Sequence, residues 1–361
     1  MKSRLEKKNP PSRVAVREGR VPLGHLLASR EFIRRICVFL AALLLGGIAI
    51  ALIGQSPLEA YRALWDGSVG SPDAWLKTLG QATPLLLTGI AVAVGLSVGL
   101  FNIGAEGQMA VGGLVGAVVG ASVPSGLAVP LGLLCGALGG ACWAWLPVWL
   151  KLRRGAHEVI TAILLNYVAR NLTRWLATVP LRDPSGQAPQ TTEVHGTLPR
   201  LFEGHDVHAG LLLGLIAIAS IAWALARTVW GYETRLVGQN QDAARAAGVD
   251  VERVTLRAFL LSGALAGLGG AVVVLGVVPF HRFPADFYGV GYGFDGLAVA
   301  LLAGSQAWAV LPAALLFGAL GAGADQMSFA TETPKQLAQV VQALLILGLS
   351  ARFVWRKRPA R

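Results

Sequence analysis

The chain is poor in charge and in cysteine. Of its 361 residues only 14% are Asp, Glu, Lys or Arg, while 54% are hydrophobic and the mean hydropathy is +0.58. Soluble domains carry about 25% charged residues, so a water-soluble fold of two or three domains is excluded. Three cysteines, Cys37, Cys135 and Cys142, are scattered through apolar runs without CxxC spacing. That spacing offers neither a disulfide framework nor a metal cage. No Walker A sequence is present, which excludes ATP binding by a phosphate-cradling loop of that kind. No Ser-His pair, carboxylate pair or His-rich set comes together at membrane depth, so a membrane-embedded enzyme is disfavoured.

Long uncharged runs fill the space that charge leaves. Ile36 to Leu58, Thr78 to Ala105, Gly107 to Leu150, Ala209 to Ala226, Ala258 to Phe280 and Gly296 to Ala324 are each long enough to approach or exceed one bilayer crossing, which takes roughly 20 residues. At membrane depth only helices or closed barrels satisfy the backbone. The ten-residue alternation of a barrel is missing, and the fold class is therefore all-α, a polytopic membrane protein.

The net charge of +11 does not indicate nucleic acid, because 10 of the 31 basic residues lie in the first 35 positions and five more lie between Arg352 and Arg361. Basic ends are retained on the cytoplasmic side, which predicts both termini inside and an even number of spans. The expected crossings are Ile36 to Gly54, Ala82 to Leu100, Gly107 to Val123, Leu127 to Leu150, Val159 to Thr178, Ala209 to Ala226 and Ala258 to Val278. A hairpin of two shortened helices follows within 296–324, turning at Ser305 to Trp308, and Gln336 to Ala351 forms the last span, for about ten in all. Residues 1–35 are then a basic cytoplasmic extension, 36–353 the transmembrane domain and 354–361 a basic cytoplasmic tail. An inner loop of about 229–257 and a turn-rich outer loop of about 180–208 interrupt the spans. His205 and His208 of that outer loop read as solvated rather than as metal ligands.

Polar residues inside apolar runs need a reason, since an ionisable group costs about 2.5–3.5 kcal/mol at the centre of a span. Glu106, with Asn102 and Gln108, interrupts the otherwise uncharged stretch from Thr78 to Leu150. Either these residues line a polar path, or they form an inner turn with Glu106 favoured by the dipole of the next helix. Composition alone does not separate the two. Asn166 joins them as a candidate, and Asp295 opens the eighth span where a carboxylate is expected on dipole grounds. FNIGAEGQMAVGG at 101–113 and GFDGLAVALLAG at 293–304 share an acidic residue in a glycine-bounded helix start and are expected at opposite membrane faces. That is the pattern of an inverted five-helix repeat, in which substrate paths form from discontinuous helices.

Small residues recur every four positions at Gly112, Gly116 and Gly120, at Gly132, Gly136 and Gly140, and at Ser262, Ala266 and Gly270, a spacing that lets helices pack closely. In the inner loop, Asn240 to Gly248 reads as a short helix: Asn240 caps it, Asp242 sits in its first turn, alanines fill it and Gly248 ends it. Such a helix does nothing for the bundle and suits a cytoplasmic partner in the helix-in-groove mode.

Gly99-Leu-Phe-Asn-Ile-Gly-Ala-Glu-Gly-Gln108, His157 to Tyr167, Leu236-Val-Gly-Gln-Asn240 with its continuation to Gly248, Ser262 to Gly267 and Gly293-Phe-Asp-Gly296 resemble the permease subunits of ABC importers for nucleosides and simple sugars. The first stretch resembles the nucleoside branch. The resemblance implies a ten-helix permease paired with a second permease, most simply a different, related chain. It also implies a cytoplasmic ABC ATPase subunit and an extracytoplasmic substrate-binding protein. No cofactor is then bound by this chain, and ATP and magnesium belong to the partner ATPase. Gly238, Asn240, Asp242, Ala243, Ala244 and Gly248 resemble the coupling loop, with Asp in place of its usual Glu. Two departures stand out: the basic N-terminal extension has no counterpart, and Ser305-Gln306 stands where Gly-Arg is expected. The residues on their own also admit an ion-coupled secondary transporter, which would use inverted repeats and midplane carboxylates but would not need the inner helix.

Overall fold

The computed structural model describes residues 30–277, 280–304 and 306–334, with 336, 337, 339, 340, 343 and 344 beyond them. Most of the basic extension, Val278, Ser305, the basic tail and most of the expected last span lie outside the described residues. Among those described, twelve α-helices account for nearly all regular structure, and the only β pairing is three isolated bridges. The chain is an all-α polytopic membrane protein.

Helix α1 (Arg30–Leu52) is followed by α2 (Pro57–Ser68) after a bend of 119°. The stretch 55–77, between the first two expected crossings, is therefore largely helical. Its caps explain why: Ser56 accepts from the Glu59 N–H, Ser71 accepts from the Ala74 N–H, and a proline follows each serine at the first helical position. Both patterns satisfy orphan donors at a helix start. Ser71 thus begins α3 (Pro72–Ser97) well before the expected Ala82.

The next helices are α4 (Ala105–Ser122), α5 (Ser125–Arg154), α6 (Glu158–Thr178) and α7 (Gly210–Arg227). Then come α8 (Val229–Gln239), α9 (Gln241–Ala246) and α10 (Val251–Gly276). Five helices are long and apolar enough to cross a membrane, and the bent pair α1 and α2 adds a sixth candidate. Their burial separates them, since 83% of the apolar window of α3 and 78% of that of α10 is inside the protein, against 28% for α5 and α7. Helices α3 and α10 are the central pair, and α5 and α7 turn their apolar surface outward to lipid or to another subunit.

Backbone contact holds the centre together. A Cβ at Gly136 would lie 2.6 Å from Ala271 Cβ, one at Gly140 would lie 2.6 Å from Gly267 Cα, and one at Gly112 would lie 2.7 Å from the Gly136 carbonyl. The four-residue glycine spacing therefore packs α4, α5 and α10 as small-residue interfaces, as the sequence suggested.

The run 296–324 is not a hairpin of two short helices. A single 3-10 turn, Phe287–Val290, leads into the 11-residue α11 (Tyr292–Leu302), then comes the 3-10 turn Ala307–Ala309 and the 22-residue α12 (Val310–Thr331). Only the first member is shortened, to about 16 Å at 1.5 Å per residue. Helix α12 continues past Ala324 through Asp325 and Gln326, at the end away from the basic inner loops, where polar side chains meet water.

Candidate functional site

The site grows from a break in the chain. After α3 ends at Ser97, residues 98–104 are not helical and run back into the bundle before α4 starts at Ala105. Gly99 makes the turn at φ +77°, a conformation that costs an L-residue with a side chain about 1–2 kcal/mol. The segment carries Asn102 and delivers Glu106 and Gln108 in the first turn of α4.

Asn102 and Gln108 form a reciprocal amide pair, with Asn102 Nδ2 donating to Gln108 Oε1 at 2.7 Å and Gln108 Nε2 donating to Asn102 Oδ1 at 2.9 Å. Asn102 Nδ2 also donates to Ser262 Oγ at 2.7 Å, and Ser262 donates to the Ala91 carbonyl at 2.6 Å. Ser262 is thus more than a small packing residue, because its hydroxyl ties α10 to α3 and to the 98–104 segment. Asn166 of α6 accepts from the Gly107 N–H at 3.1 Å and donates to the Ile103 carbonyl at 2.9 Å. Asn102 and Gln108 are fully buried, and Glu106 and Asn166 are 3% exposed. Buried polar groups of this kind are affordable only when paired, and these are.

Glu106 Oε2 accepts from the N–H groups of Gly293, at 2.7 Å, and Phe294, at 3.1 Å. These are two of the unpaired donors at the start of α11, so a carboxylate from one helix caps another. Gly293 is required there, because a Cβ would meet the Glu106 backbone nitrogen at 2.5 Å. The two glycine-bounded acidic segments are therefore not at opposite faces, as expected, but abut inside the bundle. The cause is that both chain segments re-enter before their helices begin, at 98–104 and at 280–291. From this junction α4 and α11 are each free to run toward a different face. Thr88 of α3 marks the same level, donating to the Tyr292 carbonyl at 3.0 Å. Asp295 lies in the first turn of α11, half-buried, one helical turn past Tyr292.

The inner loop carries the second candidate. Asn240 Oδ1 accepts from the Asp242 and Ala243 N–H groups at 2.9 and 3.0 Å, capping α9, and Gly248 leaves it at φ +83°. Asp242, Ala243 and Arg245 are exposed, whereas Ala244 is fully buried in the core beside Val237 and Val251. Gly238, near the end of α8, presses on the Ser97 carbonyl, leaving no room for a Cβ.

The outer loop departs from expectation at one histidine. His205 stays near the surface, 3.1 Å from Asp73, but His208 is fully buried, with Nδ1 accepting from the Gly210 N–H at 3.1 Å. Burial pushes its pKa down to about 4, and it is not a solvated loop residue. The loop is fastened by Arg282, which pairs with Asp183 and with Glu193, and by the Thr191 N–H donating to the Phe283 carbonyl at 3.1 Å. Hydrogen bonds from Ser185 and the Arg282 guanidinium hold the Asp183 carboxyl below the usual range.

Thr88, Gln81, Tyr292 and Asp325 were not singled out by sequence. Their signal is weak: a lone Thr or Gln in an apolar run becomes informative only when a distant helix start arrives beside it.

A bundle with central glycine-packed helices, two helix starts meeting in its interior and a capped helix on its basic face is the build of a membrane transport component. Comparison with known proteins places it more narrowly. Residues 75–350 match the family described as branched-chain amino acid transport system / permease component, and the chain belongs to that family. It is 37% identical to a glucose ABC transporter permease protein of Haloferax volcanii, covering 86% of this chain and 84% of the relative. It is 35% identical to a guanosine ABC transporter permease protein of Bacillus subtilis, covering 88% and 93%, and 31% identical to a nucleoside ABC transporter permease protein of Lactococcus lactis, covering 86% and 88%. No solved structure matches. The membership removes the ion-coupled secondary transporter from consideration.

Proposed function

We propose that this chain is the permease subunit of an ATP-driven importer for nucleosides or a related simple sugar, with ten spans and both termini cytoplasmic. ATP and magnesium act on a separate cytoplasmic ATPase subunit, an extracytoplasmic binding protein delivers the solute, and a second, related permease completes the path. The capped helix α9, with Gly238, Asn240, Asp242, Ala243, Ala244 and Gly248, receives the ATPase. The cluster of Asn102, Glu106, Gln108, Asn166 and Asp295 is the closed section of the path, opened when the helices around it rock.

One observation carries this reading. Gly238 of the inner loop sits backbone against backbone on Ser97 and Gly99, and the segment that starts there holds Asn102 and leads to Glu106. A push on α9 and α8 therefore reaches the buried cluster through contiguous rigid backbone, the kind of physical connection that coupling requires. Replacing Gly238 by Val tests it. ATP hydrolysis by the assembled transporter should persist while uptake falls, and uptake equal to that of the unaltered chain would remove the connection.

A further inference from the structure

A cavity of about 360 Å³ opens between α3, α11, α12 and the outer loop, on the side away from the basic inner loops. Its polar lining comes from Lys77, Gln81, His205, Asp206, Tyr292, Asp325 and Gln326. The volume lies at the small end of the range, about 300–1,000 Å³, of sites that enclose small molecules. Tyr292, the first residue of α11, joins the cavity to the Glu106 junction, its hydroxyl reaching Gln81 in the lining and its carbonyl accepting from Thr88.

The lining has a definite chemistry. Tyr292 donates from its hydroxyl to Gln81 Oε1 at 3.1 Å, and Gln81 Nε2 reaches Asp325 Oδ2 at 3.5 Å, a long contact that a ligand hydroxyl is able to replace. Amide groups at Gln81 and Gln326 and the Lys77 ammonium share the lining with the carboxylates of Asp206 and Asp325. Alternating donors and acceptors match a ring bearing several hydroxyl groups, each of which both donates and accepts. Two carboxylates against one ammonium disfavour an anion. The two aromatic side chains of the lining are tied at their polar ends, Tyr292 through its hydroxyl to Gln81 and His205 through Nε2 to Asp73.

We propose that this cavity is the outer receiving site for an uncharged polyhydroxylated solute, a nucleoside through its ribose or a free sugar, and that it excludes the phosphate esters of the same solutes. Gln81, Tyr292 and Asp325 are its contact residues. The proposal rests on the importer reading and deepens it.

The test uses right-side-out vesicles from cells carrying the complete transporter, with Gln81→Cys labelled by a membrane-impermeant thiol reagent and the unaltered chain as the control for Cys37, Cys135 and Cys142. Labelling is expected to be fast, slowed by guanosine or by glucose, and unaffected by guanosine 5′-monophosphate. Protection by guanosine alone assigns a nucleoside, and protection by glucose alone assigns a sugar. Tyr292→Phe should raise the concentration for half-maximal uptake about fivefold, as for loss of one neutral hydrogen bond, with the maximal rate kept. Labelling that is absent, insensitive to both neutral solutes, or equally slowed by the monophosphate overturns the proposal. If deleting this chain leaves uptake of both solutes unchanged, it is the importer reading that fails. If uptake needs the chain and Gln81→Cys is not protected, only the cavity assignment fails.

Discussion

Replacing Glu106 separates its role as a cap from its charge. Glu106→Ala leaves the N–H groups of Gly293 and Phe294 without an acceptor in a site that is 3% exposed. Interhelical side-chain bonds inside membranes average about 0.6 kcal/mol, so two give a lower bound of about 1.2 kcal/mol. Hydrogen bonds to a charged group contribute about 1.5 kcal/mol or more in water-soluble proteins, giving about 3 kcal/mol for two. The loss expected for Ala is therefore about 1–3 kcal/mol. Glu106→Gln keeps an oxygen where Oε2 stands, able to accept both bonds, and should cost less than about 1 kcal/mol by the same scale. Unfolding of the purified chain by SDS in mixed micelles, followed by tryptophan fluorescence, measures both. Equal losses for Ala and Gln, or no loss for Ala, would show that α11 does not depend on this cap. Uptake adds a second reading: Glu106→Gln should lower transport while the ATPase stays bound.

Other perturbations test the remaining parts. Gly136→Leu drives a side chain into Ala271 and the carbonyl of Gly112, and overpacking of this kind costs about 1–3 kcal/mol or more, so the folded yield in detergent should drop sharply while Gly126→Leu, facing open space, changes little. Asn240→Ala removes both cap bonds to α9, worth about 1 kcal/mol, and should weaken recovery of the ATPase on co-purification, with Asn240→Asp restoring it. His208 is neutral and buried, with its pKa lowered from 6.5 to about 4, so the unfolded chain takes up its proton first as pH falls. Its contribution is complete above about pH 6.5 and is lost progressively toward pH 4, by up to about 3 kcal/mol, and His208→Gln should flatten this part of the acid-stability profile.

Much of this was legible in the chain because composition and spacing carry it. Uncharged runs gave the helices, the four-residue glycine spacing gave the packing of α4, α5 and α10, and Asn240 with Gly248 gave the ends of the inner helix. The failures share a physical origin. Nothing local in FNIGAEGQ or GFDG says that both helices start inside the protein, since the donors freed at Gly293 and Phe294 are satisfied by a residue 187 positions away. His208 reads as solvated because the loop 180–208 around it is rich in glycine and proline, yet Gly210 and Gly276 leave space for its ring. Ser71 with Pro72 carries a helix start, but the apolar run that marks a span begins only at Thr78, because α3 needs no apolar residue in its first turn at the outer surface.

The two functional elements also explain each other's composition. An inner helix that only docked a partner would need exposed residues and a cap, and Asp242, Ala243 and Arg245 supply the exposed part. It would not need Ala244 buried in the main core, nor a glycine at 238 pressed on the Ser97 carbonyl. Those two features make the helix part of the bundle, so force applied to it moves α3 and the 98–104 segment rather than bending a loop. At the other end of that segment the amide pair Asn102 and Gln108 and the Glu106 cap are hydrogen-bonded to one another's elements and to α10 and α11, and a buried polar network of this kind rigidifies the elements it joins. The glycine at 99 then has a mechanical meaning beyond its φ of +77°: it is the point where the inner loop meets the segment that carries Asn102 and leads to Glu106.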